Sequence, residues 1–292
     1  MFDARGMAPP DRSVPSQMER STVERSRPFL RWAGGKQFYL KDLLAHLTIP
    51  GCKVFYEPFL GGASVALTLP FDQGFLSDIN AELINCYCHV RDHPIKIANQ
   101  ISVLGNDIDR DGYNIIRTKF NAALGQKTFE QAVRFILLNR TSFNGIYRVN
   151  IRGEYNVPFG KPNPFIPTAE MLQAASRRLR SCHLEAAQFD FSAFVPNRGE
   201  LLYLDPPYPQ ISETAYFRHY ASGRFSDEMQ QLVAEYASAA RHRGVFVVIS
   251  NADTPFIRKL YSGWKFFPLE KTRFVSCKRS RMKVNELIIR SY

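Results

Sequence analysis

The apolar run Leu201–Leu204 leads straight into Asp205-Pro206-Pro207-Tyr208. A run without polar alternation fits a strand covered on both faces, as in parallel sheets flanked by helices. The two prolines fix φ and remove two amide donors, so the strand must stop there with its carbonyls free to face a ligand. The carboxylate of Asp205 is thereby expected at the carboxyl edge of the sheet, where open α/β sheets bind ligands. An acid, a proline carbonyl and a phenol ring side by side suit a planar amino group: two acceptors for its N–H bonds and one face for stacking. The plain alternative is an ordinary turn leaving a strand.

The rest of the chain supports an α/β reading. Val54–Phe59, Gly74–Leu76, Val245–Ile249 and Val284–Ile289 read as further strands, and Asp227–Ala240 has helical spacing with Ser226 as its N-cap. Strands alternating with helices favour a parallel sheet. From about Ala81 to Pro167 the pattern is instead helical or irregular. Phe129–Leu138 reads as a helix and Asn139–Phe165 as a loop-rich stretch, together an insertion with a job of its own. Residues 1–26 carry Pro9, Pro10, Pro15 and scattered charges with little apolar periodicity, and read as a disordered tail.

Two further segments end at the same sheet edge. Glu57-Pro58-Phe59-Leu60-Gly61-Gly62-Ala63-Ser64 follows a strand, and glycines at a strand-to-helix turn permit close backbone approach to a nucleotide-like ligand. About 20 residues beyond that turn comes Asp78, where doubly wound folds place the acid that accepts ribose hydroxyls; helix capping is the competing role. Near the N-terminus, Arg31-Trp32-Ala33-Gly34-Gly35-Lys36 lacks a glycine at Leu30 and a Ser or Thr after Lys36, which excludes a phosphate loop for NTP hydrolysis. Gly34 and Gly35 can still present amides to a carboxylate, with Lys36 as counter-charge and Trp32 as a flat wall.

Charge points to a polyanionic partner. The 292 residues carry 38 basic and 27 acidic side chains, a formal +11, and the segment from Lys265 to the C-terminus contributes over half of that excess. Within the insertion, Arg140, Phe143, Asn144, Ile146, Arg148 and Lys161 interleave cations with aromatic and aliphatic groups, which suits base edges, a wedge between bases, and phosphates. A solvated basic loop is the bland reading. Cys86, Cys88, His89 and His93 lack the second cysteine pair of a structural zinc site, so no metal is expected. An odd count of five cysteines fits a reducing compartment. With no apolar run of membrane length and no apolar stretch near the N-terminus, the expected location is cytoplasmic.

In this order, FLRWAGGK, EPFLGGASV, SDIN, LNRTSFNGIYRVN with GEYNVPFGK, and DPPY resemble the Dam-type DNA adenine-N6 methyltransferases (D12 class, alpha group), from about Arg27 to the C-terminus. The resemblance implies a Rossmann-like S-adenosylmethionine-dependent methyltransferase sheet, residues 27–80 and 168–292, with a mainly helical DNA-recognition domain inserted at 81–167. It implies S-adenosylmethionine as methyl donor, adenine in double-stranded DNA as acceptor, and no metal or membrane. It leaves open a cognate restriction endonuclease that shares the target site. By position, Asp205, Pro206, Pro207 and Tyr208 would be catalytic. Trp32, Gly34, Gly35, Lys36, Glu57, Phe59, Gly61, Asp78 and Asp205 would contact the cofactor. Arg31, Arg140, Phe143, Asn144, Ile146, Arg148 and Lys161 would contact DNA, Arg148 beside the guanine next to the target adenine. The NGIYR and NVPFGK segments point to GATC, with another GA-containing site as the alternative. Asp at position 205, where a cytosine-N4 enzyme would carry Ser, leans towards adenine, and an intact DPPY argues against a silent DNA-binding relative. One departure stands out: the family's glycine turn reads G-x-G, and here it is Gly61-Gly62-Ala63, so the Ala63 methyl is expected to crowd the approach to the cofactor.

Overall fold

The computed structural model describes residues 26–105, 107–160, 164–187, 194–208, 225–274 and 281–292; Lys161 and the tail 1–25 lie outside them. The described elements run α1 (Leu40–Leu47), β1 (Val54–Glu57), β2 (Gln73–Asp78), α2 (Ala81–Asp92), α3 (Pro94–Gly105), α4 (Arg110–Asn121) and α5 (Phe129–Thr141). They continue with α6 (Ala169–Leu179), β3 (Cys182–Ala186), β4 (Leu201–Leu204), α7 (Asp227–His242), β5 (Phe246–Ala252), α8 (Pro255–Leu260), β6 (Lys265–Phe274) and β7 (Arg281–Arg290).

The strands form one seven-stranded sheet in the order β3-β2-β1-β4-β5-β7-β6. The first five are mutually parallel, and β7 is antiparallel to both β5 and β6. This is the Rossmann-like α/β sheet expected from the resemblance. Side chains alternate between two cores, as the two-residue period of a strand requires. Phe55, Leu201, Tyr203, Val248 and Ile288 enter the core shared with α2, α5 and α6. Tyr56, Leu202, Leu204, Val247, Ile249 and Ile289 enter the core shared with α7 and α8. All four β4 residues are buried, so its apolar run does mark a strand covered on both faces.

From β1 the chain winds outward through β2 to β3, then returns to place β4 on the opposite side of β1. The crevice beyond the carboxyl ends of β1 and β4 is therefore the topological switch point.

Where the elements differ from the sequence reading, the causes are physical. β1 stops at Glu57 because Pro58 has no amide to donate. β5 runs past Ile249 through Ser250 and Asn251, polar residues that are wholly buried and hydrogen-bonded by partners from other elements. β6 contains Pro268, tolerable because β6 is the sheet's outermost strand. β3 is five residues at the opposite edge, mostly solvent-facing, and lacks an apolar run. α5 continues through Asn139 and Arg140 to Thr141, beyond the predicted Leu138. The Ser226 cap of α7 is present, its side chain accepting from the Met229 amide.

Candidate active site

Three strand ends converge at the switch point. β1 delivers Glu57, Phe59 and Gly61; β2 ends in Asp78; β4 delivers Asp205, Pro206, Pro207 and Tyr208. Together with Trp32, Gly34, Gly35 and Lys36 they line one cavity of about 430 Å3. Every described residue that the resemblance assigned to cofactor or catalysis thus shares this one wall. Gly61 adopts φ +47°, and a Cβ on it would stand 2.9 Å from Trp32 Cδ1, so only glycine lets the turn lie against the indole. Ala63 also has a positive φ, 54°, but its side chain is packed in the hydrophobic core and is not among the cavity's lining. The crowding expected from its methyl does not occur, because the methyl points away from the cavity.

Asp78 holds this turn in place. Its Oδ2 accepts from the Gly61 amide at 2.8 Å and its Oδ1 from the Asn80 amide at 2.9 Å. The cap of α2 is Asn80, whose side chain accepts from the Glu82 and Leu83 amides. Tyr87, wholly buried, donates from beneath to the Gly61 carbonyl at 2.9 Å.

One cation serves several acids. Lys36, only 4% exposed, places Nζ 2.6 Å from Asp205 Oδ1 and 2.9 Å from the Gly34 carbonyl, and 4.9 Å from the centre of the Tyr208 ring. Burial pushes the Asp205 carboxyl above the usual carboxylate range, and Lys36 pulls the other way. Burial raises Glu57 well above that range; neighbouring Asp205 adds to the rise, and the Ala66 amide and Lys36 oppose it. Asp78 is raised by burial against the two amides it accepts from. Three carboxyl side chains, Glu57, Asp78 and Asp205, thus line the cavity beside one ammonium, Lys36, an excess of acid that fits a cationic ligand.

A family model described as "D12 class N6 adenine-specific DNA methyltransferase" matches residues 32–275. The chain belongs to that family. The type II methyltransferase M1.LlaDCHI of Lactococcus lactis subsp. cremoris is 32% identical over 272 residues, 91% of this chain and 95% of that protein. The DNA adenine methylase of Escherichia coli K12 is 36% identical over 271 residues, with 91% and 95% covered. That of Vibrio cholerae serotype O1 (strain ATCC 39541) is 35% identical over 272 residues, with 91% and 96% covered. The chain is an adenine-specific DNA methyltransferase, and DNA is its substrate. No helix among its described residues is long and apolar enough to cross a membrane.

In this methyltransferase a second cavity of about 810 Å3 adjoins the first, sharing Trp32, Gly35 and Ser64, and it is walled by Arg31, Arg140, Asn144 and Ile146. Phe143 is 54% exposed. Arg148 is exposed, its Nε donating to Asn156 Oδ1 at 2.8 Å and its NH2 to the Asn156 carbonyl. Asn144 sits at φ 57°, a left-handed conformation that Asn tolerates. Arg140 differs from the surface cation the sequence suggests: it is 8% exposed, donates to the Phe165 carbonyl, and stacks over the Phe165 ring. Burial and the nearby Arg31 push its pKa down to about 10.

Several residues at the site had no role assigned from the sequence, although Asn139 and Tyr147 lie within the LNRTSFNGIYRVN segment. Asn139 accepts from the Arg31 amide at 2.8 Å and donates to the Arg31 carbonyl at 2.7 Å, so the end of α5 clamps the segment that holds Trp32 and Lys36. Tyr147 stacks on Trp32 at 5.8 Å between ring centres. The Tyr208 hydroxyl donates to Glu286 on β7 at 3.3 Å and lies 3.5 Å from the Tyr39 hydroxyl. Nothing local marks the roles of Asn139, Tyr39 or Glu286, because each is defined by a partner far along the chain.

Proposed function

We propose that the switch-point cavity takes S-adenosylmethionine beside a flipped adenine from duplex DNA, and that GATC is the target. The observation that carries this is the sharing of one wall by the Gly61 turn, Asp78 and the Asp205–Tyr208 segment. The donor set fits the cofactor: Asp78 for the ribose hydroxyls, the glycine turn and Trp32 for the methionine part, and an acid-rich wall for a sulfonium. When bound, S-adenosylmethionine supplies an electrophilic methyl group.

The chain's own groups supply positioning. The adenine amino nitrogen is a weak nucleophile because its lone pair is delocalised into the ring. The base also lies inside the stack, and flipping it costs a few kcal/mol. Asp205 and the Pro206 carbonyl accept its two N–H bonds, drawing the nitrogen towards tetrahedral geometry and aiming its lone pair. Tyr208 stacks on the base. The amino group replaces the Lys36 ammonium at Asp205 Oδ1, and that carboxylate is the first acceptor for the proton shed after methylation. Such preorganised dipoles and orientation, without a strong base, provide the rate. The insertion at 81–167, with Phe143, Asn144, Ile146 and Arg148, reads the target, and Arg31 faces the adjoining strand, whereas Arg140 is buried on Phe165 and acts by holding that segment. Lys161 belongs with this set on the sequence reading alone.

The test is transfer of labelled methyl from S-adenosylmethionine to duplex DNA, with digestion to nucleosides and mapping of modified positions. N6-methyladenine within GATC is expected; N4-methylcytosine, or transfer to RNA alone, overturns the reading, and methylation at another GA-containing site corrects the target. Arg148→Ala should lower discrimination at the neighbouring guanine by about 10- to 100-fold, the worth of one bidentate base contact. Cofactor affinity, measured by calorimetry, should not move.

A further inference from the structure

Pro206 and Pro207 leave the DPPY segment without two amide donors, so something other than a sheet ladder must hold it. The Pro207 carbonyl accepts from Gln230 Nε2 on α7 at 2.8 Å. Gln230 Oε1 accepts in turn from Asn251 Nδ2 on β5 at 3.0 Å, and Asn251 Oδ1 accepts from the Ala252 amide at 2.8 Å. Both side chains are 0% exposed, and neither is in the cavity lining.

The direction of this relay is forced at both ends. A backbone N–H can only donate, so it fixes Asn251 Oδ1 towards residue 252 and its amino group towards Gln230. A proline carbonyl can only accept, so it needs the amino end of Gln230. Each amide has one orientation that satisfies every bond, and burial makes the alternatives costly.

Resting on the reading of the DPPY pocket above, we propose that Gln230 and Asn251 are positioning residues that aim the Pro206 carbonyl and Tyr208 at the target base. The pinned peptide lies directly between those two groups. Rotation there would swing both at once, and misplacement of about 1 Å can cost about 100-fold in rate.

Two variants of the full-length protein test this. Gln230→Met keeps the length and removes the bonds. Asn251→Ala touches no DPPY atom and removes the donor to Gln230 Oε1, which frees that amide to turn its oxygen towards the Pro207 carbonyl. Each variant should lower the single-turnover methyl-transfer rate by about 10- to 100-fold, leaving S-adenosylmethionine affinity by calorimetry within about twofold. The double variant should be no slower than the worse single one, as expected for members of one relay. A wild-type rate in Gln230→Met, losses that multiply in the double variant, or cofactor affinity falling in step with rate would each overturn the proposal. A wild-type protein that makes no N6-methyladenine would instead overturn the reading of the pocket.

Discussion

Asp205→Ala is expected to lower the single-turnover methylation rate by about 1,000-fold or more. Removing one preorganised polar partner of a reacting group costs about 100- to 1,000-fold in comparable sites, and here a second effect adds to it. Lys36 is 4% exposed and its Nζ lies 2.6 Å from the Asp205 carboxylate. Deleting the acid leaves an ammonium in a buried site, a change that costs about 3–5 kcal/mol while the charge persists. The Asp205→Ala protein should therefore also melt earlier than wild type in a thermal scan. Asp205→Asn keeps an uncharged acceptor and the side-chain volume, so it should retain about tenfold more activity than Asp205→Ala. An Asp205→Ala rate within tenfold of wild type would falsify the catalytic assignment.

Glu57→Gln should stabilise the protein and weaken cofactor binding. Glu57 is 3% exposed and its proton affinity is raised well above that of a free carboxyl by burial and by Asp205. Between the ordinary glutamate value and this raised one, the folded chain binds more protons than the unfolded chain, so stability falls as pH rises through that interval. Below the interval both states are protonated and the residue contributes nothing. Gln cannot ionise, and its amide oxygen can keep the bond from the Ala66 amide, 3.1 Å from Glu57 Oε2. The Tm gain of Glu57→Gln should be negligible near pH 4 and about 2 °C or more at pH 8, on the scale of about 1 kcal/mol in a chain this size. A sulfonium entering the cavity favours the ionised acid, so wild-type binding should release protons at a pH within that interval. The variant should release less and bind about tenfold more weakly, the order of one Coulomb interaction at an effective dielectric near 20. Calorimetry in buffers of different ionisation enthalpy measures both, and equal proton release in the two proteins would remove Glu57 from this role.

Much of this site is readable in the linear chain, because it is built from strand ends. A strand that stops before two prolines, a strand that stops at Pro58 ahead of a glycine turn, and an acid at the end of a third strand are local patterns, and local sterics decide the first two: prolines cannot continue a ladder, and Gly61 alone can adopt φ +47° against Trp32. The parallel sheet follows from the same signals, since the Leu201–Leu204 run needs cover on both faces. Other elements escape because their signal is not local. β3 has no apolar run, being an edge strand. The last turn of α5 reads as a loop, because Asn139 and Arg140 become compatible with a buried helix only through Arg31, 108 residues away, and Phe165.

Taken alone, the amino-acid order determined the sheet class, the three strand-end segments and the chemistry they carry. The tertiary structure decided which polar side chains are buried and what satisfies them: Asn139 on Arg31, Glu286 on Tyr208, Gln230 and Asn251 on Pro207. The division has a physical cause. Backbone sterics act between chain neighbours and are written in short motifs, whereas an amide or carboxylate can be buried only where a partner arrives from elsewhere in the fold.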